Sequence, residues 1–547
     1  MKRRFYVKTI ALIVLIILCF LTIHTYNHVK IKAIRYTNNW GKHKEIGESY
    51  LNRMPLIGEI EDSILTVTFN GKNSLNYYNY NYQGNIIDKG KSTLEGFDID
   101  EIFEIYLIRD KLVYKHKNNV YMTKYQKGIG FTKPEILLEN VLGLNMNIAD
   151  NKNVVSTYNK ENISIYNFED GNLEKLYQFQ NKWNLKKVYF KTFSDKEYIF
   201  LVCNSNNYAN EIIGGKIKNE SINNLKSIDR RAIKSSETIN QIYIERIDKS
   251  FFIGYTITSS GRERATTLYY KIIDSNTFQV LKDNVINDTY IDSMYQFGEN
   301  VFIKSSGAYI EVFASGINTL NKYAIYPDIF KVKIDKSGEV VSTDFITYTQ
   351  NYSKYPALLD IKYGRYLVWY DIKGEGYKLM LTSTNKEFVS LNSKPTSNDY
   401  KSAFLNALSS PFYAIAFVFL KGTQMLIYIL AVFLPIGFIF HRFRVENEKL
   451  KGAICLFAYI VLNLILYKST YFTENIIRFM PEFLKFYLAP YVVPLIINLI
   501  SGITLYIFYS ENKKRSYIAY IVFFIVVDVY FSNLLFVPFS MTKLLLK

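Results

Sequence analysis

Five long apolar runs bracket this sequence, one at the N-terminus and four beyond residue 424. They require the two ends to fold against hydrocarbon, because an α-helix of ~20 such residues matches the thickness of a bilayer core. The first, Thr9 to Thr25, follows Lys2, Arg3, Arg4 and Lys8. No small-x-small site closes it, and it continues through Phe20, Leu21 and Ile23. It therefore reads as an uncleaved signal anchor rather than a removed signal peptide. A lipoprotein signal would need a small residue before Cys19, where Leu18 stands. The other runs are Met425–Phe440, Gly452–Tyr467, Leu488–Tyr509 and Tyr517–Phe539. The first extends backwards to Lys421 and the second forwards into Tyr471 and Phe472. A buried bundle in a soluble domain would show polar stripes, whereas these runs are apolar all round.

The charges sort themselves around these runs. Residues 1–26 carry four basic side chains and no acid, and residues 401–547 carry 14 basic and 6 acidic ones. Of the net charge of +17, only +5 falls within 27–400. Basic residues beside apolar runs mark membrane orientation rather than a phosphate-binding face, so nucleic acid is not an expected partner. Arg442, Arg444, Lys449 and Lys451 follow the first C-terminal run, and Lys513, Lys514 and Arg515 separate the last two. Both loops are expected on the cytoplasmic side, with the N-terminus. Loop 468–487 holds Glu474 and Glu482 and belongs outside. Five crossings then leave residues 27–424 and the C-terminus extracytoplasmic. Ala403–Leu420, interrupted by Asn406, Ser409, Ser410 and Pro411, and the amphipathic Glu474–Phe486 are expected to lie in the headgroup plane.

Between residues 60 and 390 the pattern changes to short runs of Ile, Val, Tyr, Phe and Thr separated by Asn, Asp, Gly, Ser and Lys. That is the mark of many antiparallel strands joined by tight turns. A polar pair before an apolar strand recurs at Ile64, Leu112, Val154, Tyr198, Phe251, Val301 and Tyr366, at intervals of 48, 42, 44, 53, 50 and 65 residues. Strand-turn units of 40–50 residues are what four-stranded β-propeller blades produce, and seven anchors imply six to eight blades. A pair of β-sandwiches is the competing architecture. The expected organisation is a basic tail and anchor at 1–26, a stalk at 27–60 and an extracytoplasmic propeller-like domain at 61–391. A linker with an interfacial helix follows at 392–424, then four transmembrane helices at 425–547.

Chemistry is thinly signalled. Of the three cysteines, Cys19 and Cys455 sit in apolar runs and Cys203 stands alone, which excludes a disulfide framework and argues against a cysteine-based zinc site. The five histidines, His24, His28, His43, His116 and His441, show no ligand-spaced pair, so no metal or other cofactor is expected. Gly84 to Ser92 imitates a phosphate loop with one residue too many between its glycines, and reads as a hairpin. Asp98, Asp100 and Glu101 lack the remainder of a calcium loop. The basic pairs Arg230-Arg231 and Arg262-x-Arg264 suit a carboxylate or phosphate, or plain surface. No hydrolase elbow or zinc-protease pair occurs, so no catalytic residue is assigned.

Asp528 is the exception, a carboxylate at mid-span in Ile525-Val-Val-Asp-Val-Tyr530. It must face the bundle, with Asn463, Asn498 and Asn533 as available partners. Pro490, Pro494 and Gly502 bend or loosen the fourth span. Two roles compete for this polar set, a hydrogen bond that locks the helices or a step in a proton or ion path. The leading functional expectation is a membrane protein that presents a propeller to an extracytoplasmic protein or cell-surface ligand, its other partner being the lipid bilayer. A transport component is the alternative, and a surface hydrolase the weaker one.

Overall fold

The computed structural model describes the backbone of residues 2–545 except for 33–36, 38, 51–52, 95–98, 103, 150–151, 194–195, 205–208, 233, 235–236, 260–265, 287–293, 296–299, 319–325, 350, 374–375 and 512–515. The chain divides into two compact units, Arg35–Lys394 and a helical unit made of Met1–Ile34 with Pro395–Lys547.

Arg35–Lys394 is a seven-bladed β-propeller, each blade a meandering antiparallel sheet of four or five strands. Blades 1 to 6 occupy 56–93, 105–138, 143–180, 185–232, 237–286 and 294–345. Blade 7 is assembled from both ends of the unit. Tyr352–Ile361, Gly364–Lys373 and Gly376–Ser383 supply three strands, and Lys44–Ser49 adds the outermost as an antiparallel partner of Gly376–Ser383.

Blades bury both faces, so their inner strands are apolar on both sides; Ser63–Phe69 and Ser74–Tyr80 are buried at every position. Seven clusters of side chains cement successive blades. Val67 and Phe69 meet Leu112 and Tyr114 between blades 1 and 2. Val113 meets Val155, and Ile165 meets Phe190, at the next two seams. Phe200 packs on Phe251, and Tyr270 on Val312. Phe313 meets Trp369, and Tyr366 with Val368 meets Ile64 and Tyr80 across the last seam. The ring is thus closed by packing at every interface. Cys203 lies in the seam between blades 3 and 4, where burial pushes its thiol up to about 11, with Glu211 adding to the shift.

The anchors fall one per blade. In six blades they begin the second strand, after a turn such as Glu61-Asp62, Arg109-Asp110 or Asp248-Lys249. Glu61, Arg109 and Asp248 take the left-handed φ that tight hairpins demand. The turn residues 150–151 and 194–195 lie outside the described residues. Val301 instead precedes the first strand proper of blade 6, Phe302–Ser305, which lengthens the interval to Tyr366.

The stalk expected at 27–60 is different in the structure. Its residues 44–49 close blade 7 and Leu56–Ile60 opens blade 1. Gly47 is required there, because a Cβ would lie 2.2 Å from the Tyr78 ring. The Tyr78 hydroxyl in turn receives the Glu48 N–H at 3.0 Å.

The helices are α1 (Lys2–Lys32), α2 (Lys386–Leu391, in the propeller unit), α3 (Ser397–Ala407), α4 (Ser410–Arg442), α5 (Glu448–Tyr471), α6 (Glu474–Phe479), α7 (Ala489–Glu511) and α8 (Tyr517–Leu545). The polar stretch at 392–399 starts α3 through a capping box, in which Thr396 and Asp399 satisfy each other's backbone N–H groups. Pro411 stands in the first turn of α4, where its missing N–H costs nothing. The interfacial helix expected at 403–420 is split between α3 and α4, and its second part runs on into the span expected at 425–440. The boundary drawn at 424/425 falls inside the unbroken α4. The amphipathic stretch at 474–486 is broken by Pro481 into α6 and a single 3₁₀ turn.

Five helical stretches are long and apolar enough to cross a membrane: Val7–Ile31, Asp399–Phe419, Glu448–Tyr471, Ala489–Ser510 and Tyr517–Met541. The second differs from the expected run at 425–440, the side chains of 420–429 being outside the described residues.

Candidate functional site: a polar seam in the helical unit

α5 carries Tyr459, Asn463, Tyr467 and Tyr471 at intervals of four, which places all four on one helix face, and all are buried. Facing them on α8 are Asp528, Ser532 and Asn533, again one turn apart, and α7 contributes Asn498, Ser501 and Thr504. Every one of these is buried in a unit whose outer faces are apolar. Polar groups buried among apolar side chains gain by pairing, and most of these do, while Asn463 Oδ1, Asn498 Oδ1 and Asn533 Nδ2 have no partner among the described residues.

Asp528 is only 1% exposed. Its Oδ2 accepts hydrogen bonds from the Tyr459 hydroxyl at 2.9 Å and the Asn463 amide at 2.8 Å, and its Oδ1 accepts from Ser501 at 3.3 Å. Three helices converge on one carboxylate. Further along, Tyr467 donates to Ser532 at 3.2 Å and Tyr471 to Asn533 at 2.8 Å. Of the three asparagines expected as partners, the structure brings Asn463 to Asp528. Asn533 pairs with Tyr471, and Asn498 turns back to the Pro494 carbonyl of its own helix at 2.8 Å. Tyr459 and Ser501 were not signalled by charge or amide chemistry. The four-residue spacing along α5 was the available clue.

A second tie involves α1. Pro538 sits inside α8 and has no N–H to offer the carbonyl of Leu534, four residues earlier. The His24 Nε2 lies 2.8 Å from that carbonyl oxygen. Since a carbonyl only accepts, Nε2 carries the proton and donates. The His24 ring also packs edge-on against Phe539, with centroids 5.0 Å apart. One turn on, Asn27 donates to the Phe479 carbonyl at 2.9 Å. His24 and His28, read from the sequence as forming no ligand-spaced pair, are one turn apart on α1 and both buried. The helix period brings them together.

In the propeller, the notable polar groups are structural ties between blades. Asp328 accepts from the Thr349 N–H at 2.9 Å and the Thr347 hydroxyl at 3.1 Å. Asp371 accepts from Ser353 and from the Trp369 indole, each at 2.8 Å. A Thr349–Ser353 hydroxyl contact of 3.0 Å links the two across blades 6 and 7. Burial pushes Asp328 well above the usual carboxylate range, and the nearby Asp371 charge adds to this. Burial raises Asp371 as well. At the seam of blades 4 and 5, the Arg231 guanidinium stacks 3.7 Å from the Tyr269 ring centre, so it is engaged in packing rather than presented to a ligand. Arg262 and Arg264 lie outside the described residues, as do Asp98 and the side chain of Asp100. Ile86–Thr93 is the outer strand of blade 1, following a turn at Gly84. Among the described residues no group of three or more His, Cys, Asp or Glu is arranged to hold a metal ion.

No family model matches the chain, and no curated protein does. Among solved structures, the WD40 domain of Toxoplasma gondii coronin aligns over 66% of this chain and 88% of its own, at 12% identity and a TM-score of 0.38. The polysaccharide lyase Uly1 aligns over 64% and 98%, at 8% identity and a TM-score of 0.41. The WD40 domain of SCAP from fission yeast aligns over 64% and 100%, at 10% identity and a TM-score of 0.31. Likenesses at this level add nothing to what the strand order and the seven seams establish.

Proposed function

We propose that this is a multi-pass membrane protein that displays its propeller outside the cytoplasm as a binding or sensing module for a protein or cell-surface ligand, without catalysis of its own. The observation that carries the reading is the closure of blade 7. The chain enters the ring on Lys44–Ser49 and leaves it on the neighbouring Gly376–Ser383, with apolar helices before the one and after the other. Both tethers are thereby confined to one blade, and the turns of blades 1 to 6 carry no chain end. Orientation rests on the basic loops at 442–451 and 513–515. α4 has 33 residues, about 50 Å of helix against an apolar core of about 30 Å. Lys421, Gly422, Thr423 and Gln424 divide it, and the apolar layer is crossed by the part that follows them.

A reporter active only outside the cytoplasm should work after Asn392 and fail within Val445–Lys451; the reverse pattern overturns the orientation. For binding, photo-crosslinking residues at the exposed positions Ile129, Leu281 and Tyr363 should trap a discrete partner on intact cells. Failure at all three in folded protein removes the binding reading. The convergence of three helices on Asp528 favours one second reading, transport, and the Asp528 variants below separate the two.

A further inference from the structure

A cleft of about 620 Å³ opens between α5, α7 and α8, at the end of the bundle where α5 begins. Its volume lies within the ~300–1,000 Å³ typical of ligand sites. Its deeper wall is apolar and shaped by absence. Gly452 and Gly502 line it, and a Cβ on Gly502 would meet nothing within 4 Å. Leu456 and Ile521 complete that wall, so the cleft fits a hydrocarbon chain.

The mouth has a different chemistry. Tyr506, Tyr509, Tyr517 and Tyr520 ring it, the side chains that favour the boundary between headgroups and hydrocarbon. Glu448 and Lys449 stand at the rim. Glu448 is neutralised by Lys451 at 2.7 Å, and that ammonium also lies 5.7 Å from the Tyr517 ring centre. Lys449 is exposed and makes no ion pair among the described residues, which leaves an unpaired ammonium at the rim. Arg444 and Glu446 lie in the connection that precedes α5.

We infer that this cleft is a binding site for an anionic glycerophospholipid, with one acyl chain along Gly452 and Gly502 and the phosphate at Lys449. An apolar cleft between apolar helices, with an aromatic rim and an unpaired lysine at its edge, complements such a lipid at both ends. The site does not depend on the orientation proposed above, although a cytoplasmic-side placement would set it in the leaflet richer in anionic lipid.

The test uses the full chain purified in detergent, so its failure is separable from that of the topology reporters. Native mass spectrometry and melting curves are recorded with added phosphatidylglycerol, phosphatidylcholine or glycerol phosphate. The parent should retain phosphatidylglycerol and melt higher with it, while phosphatidylcholine and glycerol phosphate leave it unchanged. Gly502→Leu fills the cleft from within and should abolish retention, with lipid-free melting at or above that of the parent. Lys449→Glu, at an exposed position, should weaken phosphatidylglycerol retention at least tenfold and spare folding. Equal retention of both lipids by the parent overturns the inference, as does stabilisation by glycerol phosphate alone. Undiminished phosphatidylglycerol binding by Lys449→Glu overturns it too, whatever Gly502→Leu does.

Discussion

Removing the His24 imidazole should loosen the helical unit through one identifiable atom, the carbonyl oxygen of Leu534. In His24→Ala that oxygen loses its 2.8 Å donor, and Pro538 gives α8 no means of replacing it. A buried polar group left unpaired costs about 1–3 kcal/mol, and the lost contact with Phe539 adds about 1 kcal/mol of packing. Pro538→Ala supplies the missing N–H, after which the carbonyl no longer needs histidine. The two changes are therefore coupled. Hydrogen bonds between membrane helices give couplings that average roughly 0.6 and reach roughly 1.7 kcal/mol. We expect about 1 kcal/mol, with His24→Ala costing distinctly less in the Pro538→Ala background. Equilibrium unfolding of the four proteins in mixed micelles measures the cycle. A coupling indistinguishable from zero, with both single variants inserted and folded, would refute the donor role of His24.

Three further outcomes follow from the geometry. Asp528→Asn keeps acceptors and donors for Tyr459, Asn463 and Ser501, so it should fold and function as the parent does. Asp528→Leu strands all three and should cost about 2–4 kcal/mol in micelle unfolding. Loss of function in an intact Asp528→Asn protein would instead establish the carrier role. The segment 35–394 should be soluble, monomeric and β-rich by circular dichroism, whereas 50–394, lacking the closing strand, should expose the edge of Gly376–Ser383 and aggregate; identical behaviour of the two segments would refute closure. Asp328 titrates above the ordinary carboxylate value in the fold, so the native state holds a proton that the unfolded chain has released. Stability should fall as pH rises above about 4, by at most about 1.4 kcal/mol per unit for one group. Asp328→Asn should flatten that slope in melts between pH 5 and 8, and an unchanged slope would exclude Asp328 as its source.

The propeller was legible because its turns are chemically distinct from its strands. Asp62-Ser63, Asp110-Lys111 and Lys249-Ser250 mark blades 1, 2 and 5 without any shared motif. The closing strand was not, since Lys-Glu-Ile-Gly-Glu-Ser offers one buried apolar side chain, Ile46, and is defined by a partner far away in sequence. α4 was read as two elements because Lys421 to Gln424 is polar, although nothing there breaks a helix. In the seam, Asp528 and Asn463 announced themselves as costly groups in hydrocarbon. Tyr459, Tyr467 and Ser501 did not, because tyrosine and serine are tolerated in membrane helices and only their spacing distinguishes them. The tie from His24 to the Leu534 carbonyl needed both the helix pairing and the proline.

The closed ring also sets an order of events during synthesis. Lys44–Ser49 leaves the ribosome about 330 residues ahead of the strand it must pair with. At roughly 5–20 residues per second, tens of seconds pass before Gly376–Ser383 exists. As blades 1 to 6 emerge in turn, none has a seventh to complete the ring, and the two end faces of the nascent arc leave Tyr80 of blade 1 and Phe313 of blade 6 uncovered. With α1 in the membrane, as proposed, the waiting strand is tethered to the same surface from which the C-terminal helices later hold the final blade. The slowest contact in the fold would then form between two segments tethered to one surface, rather than through free search in solution.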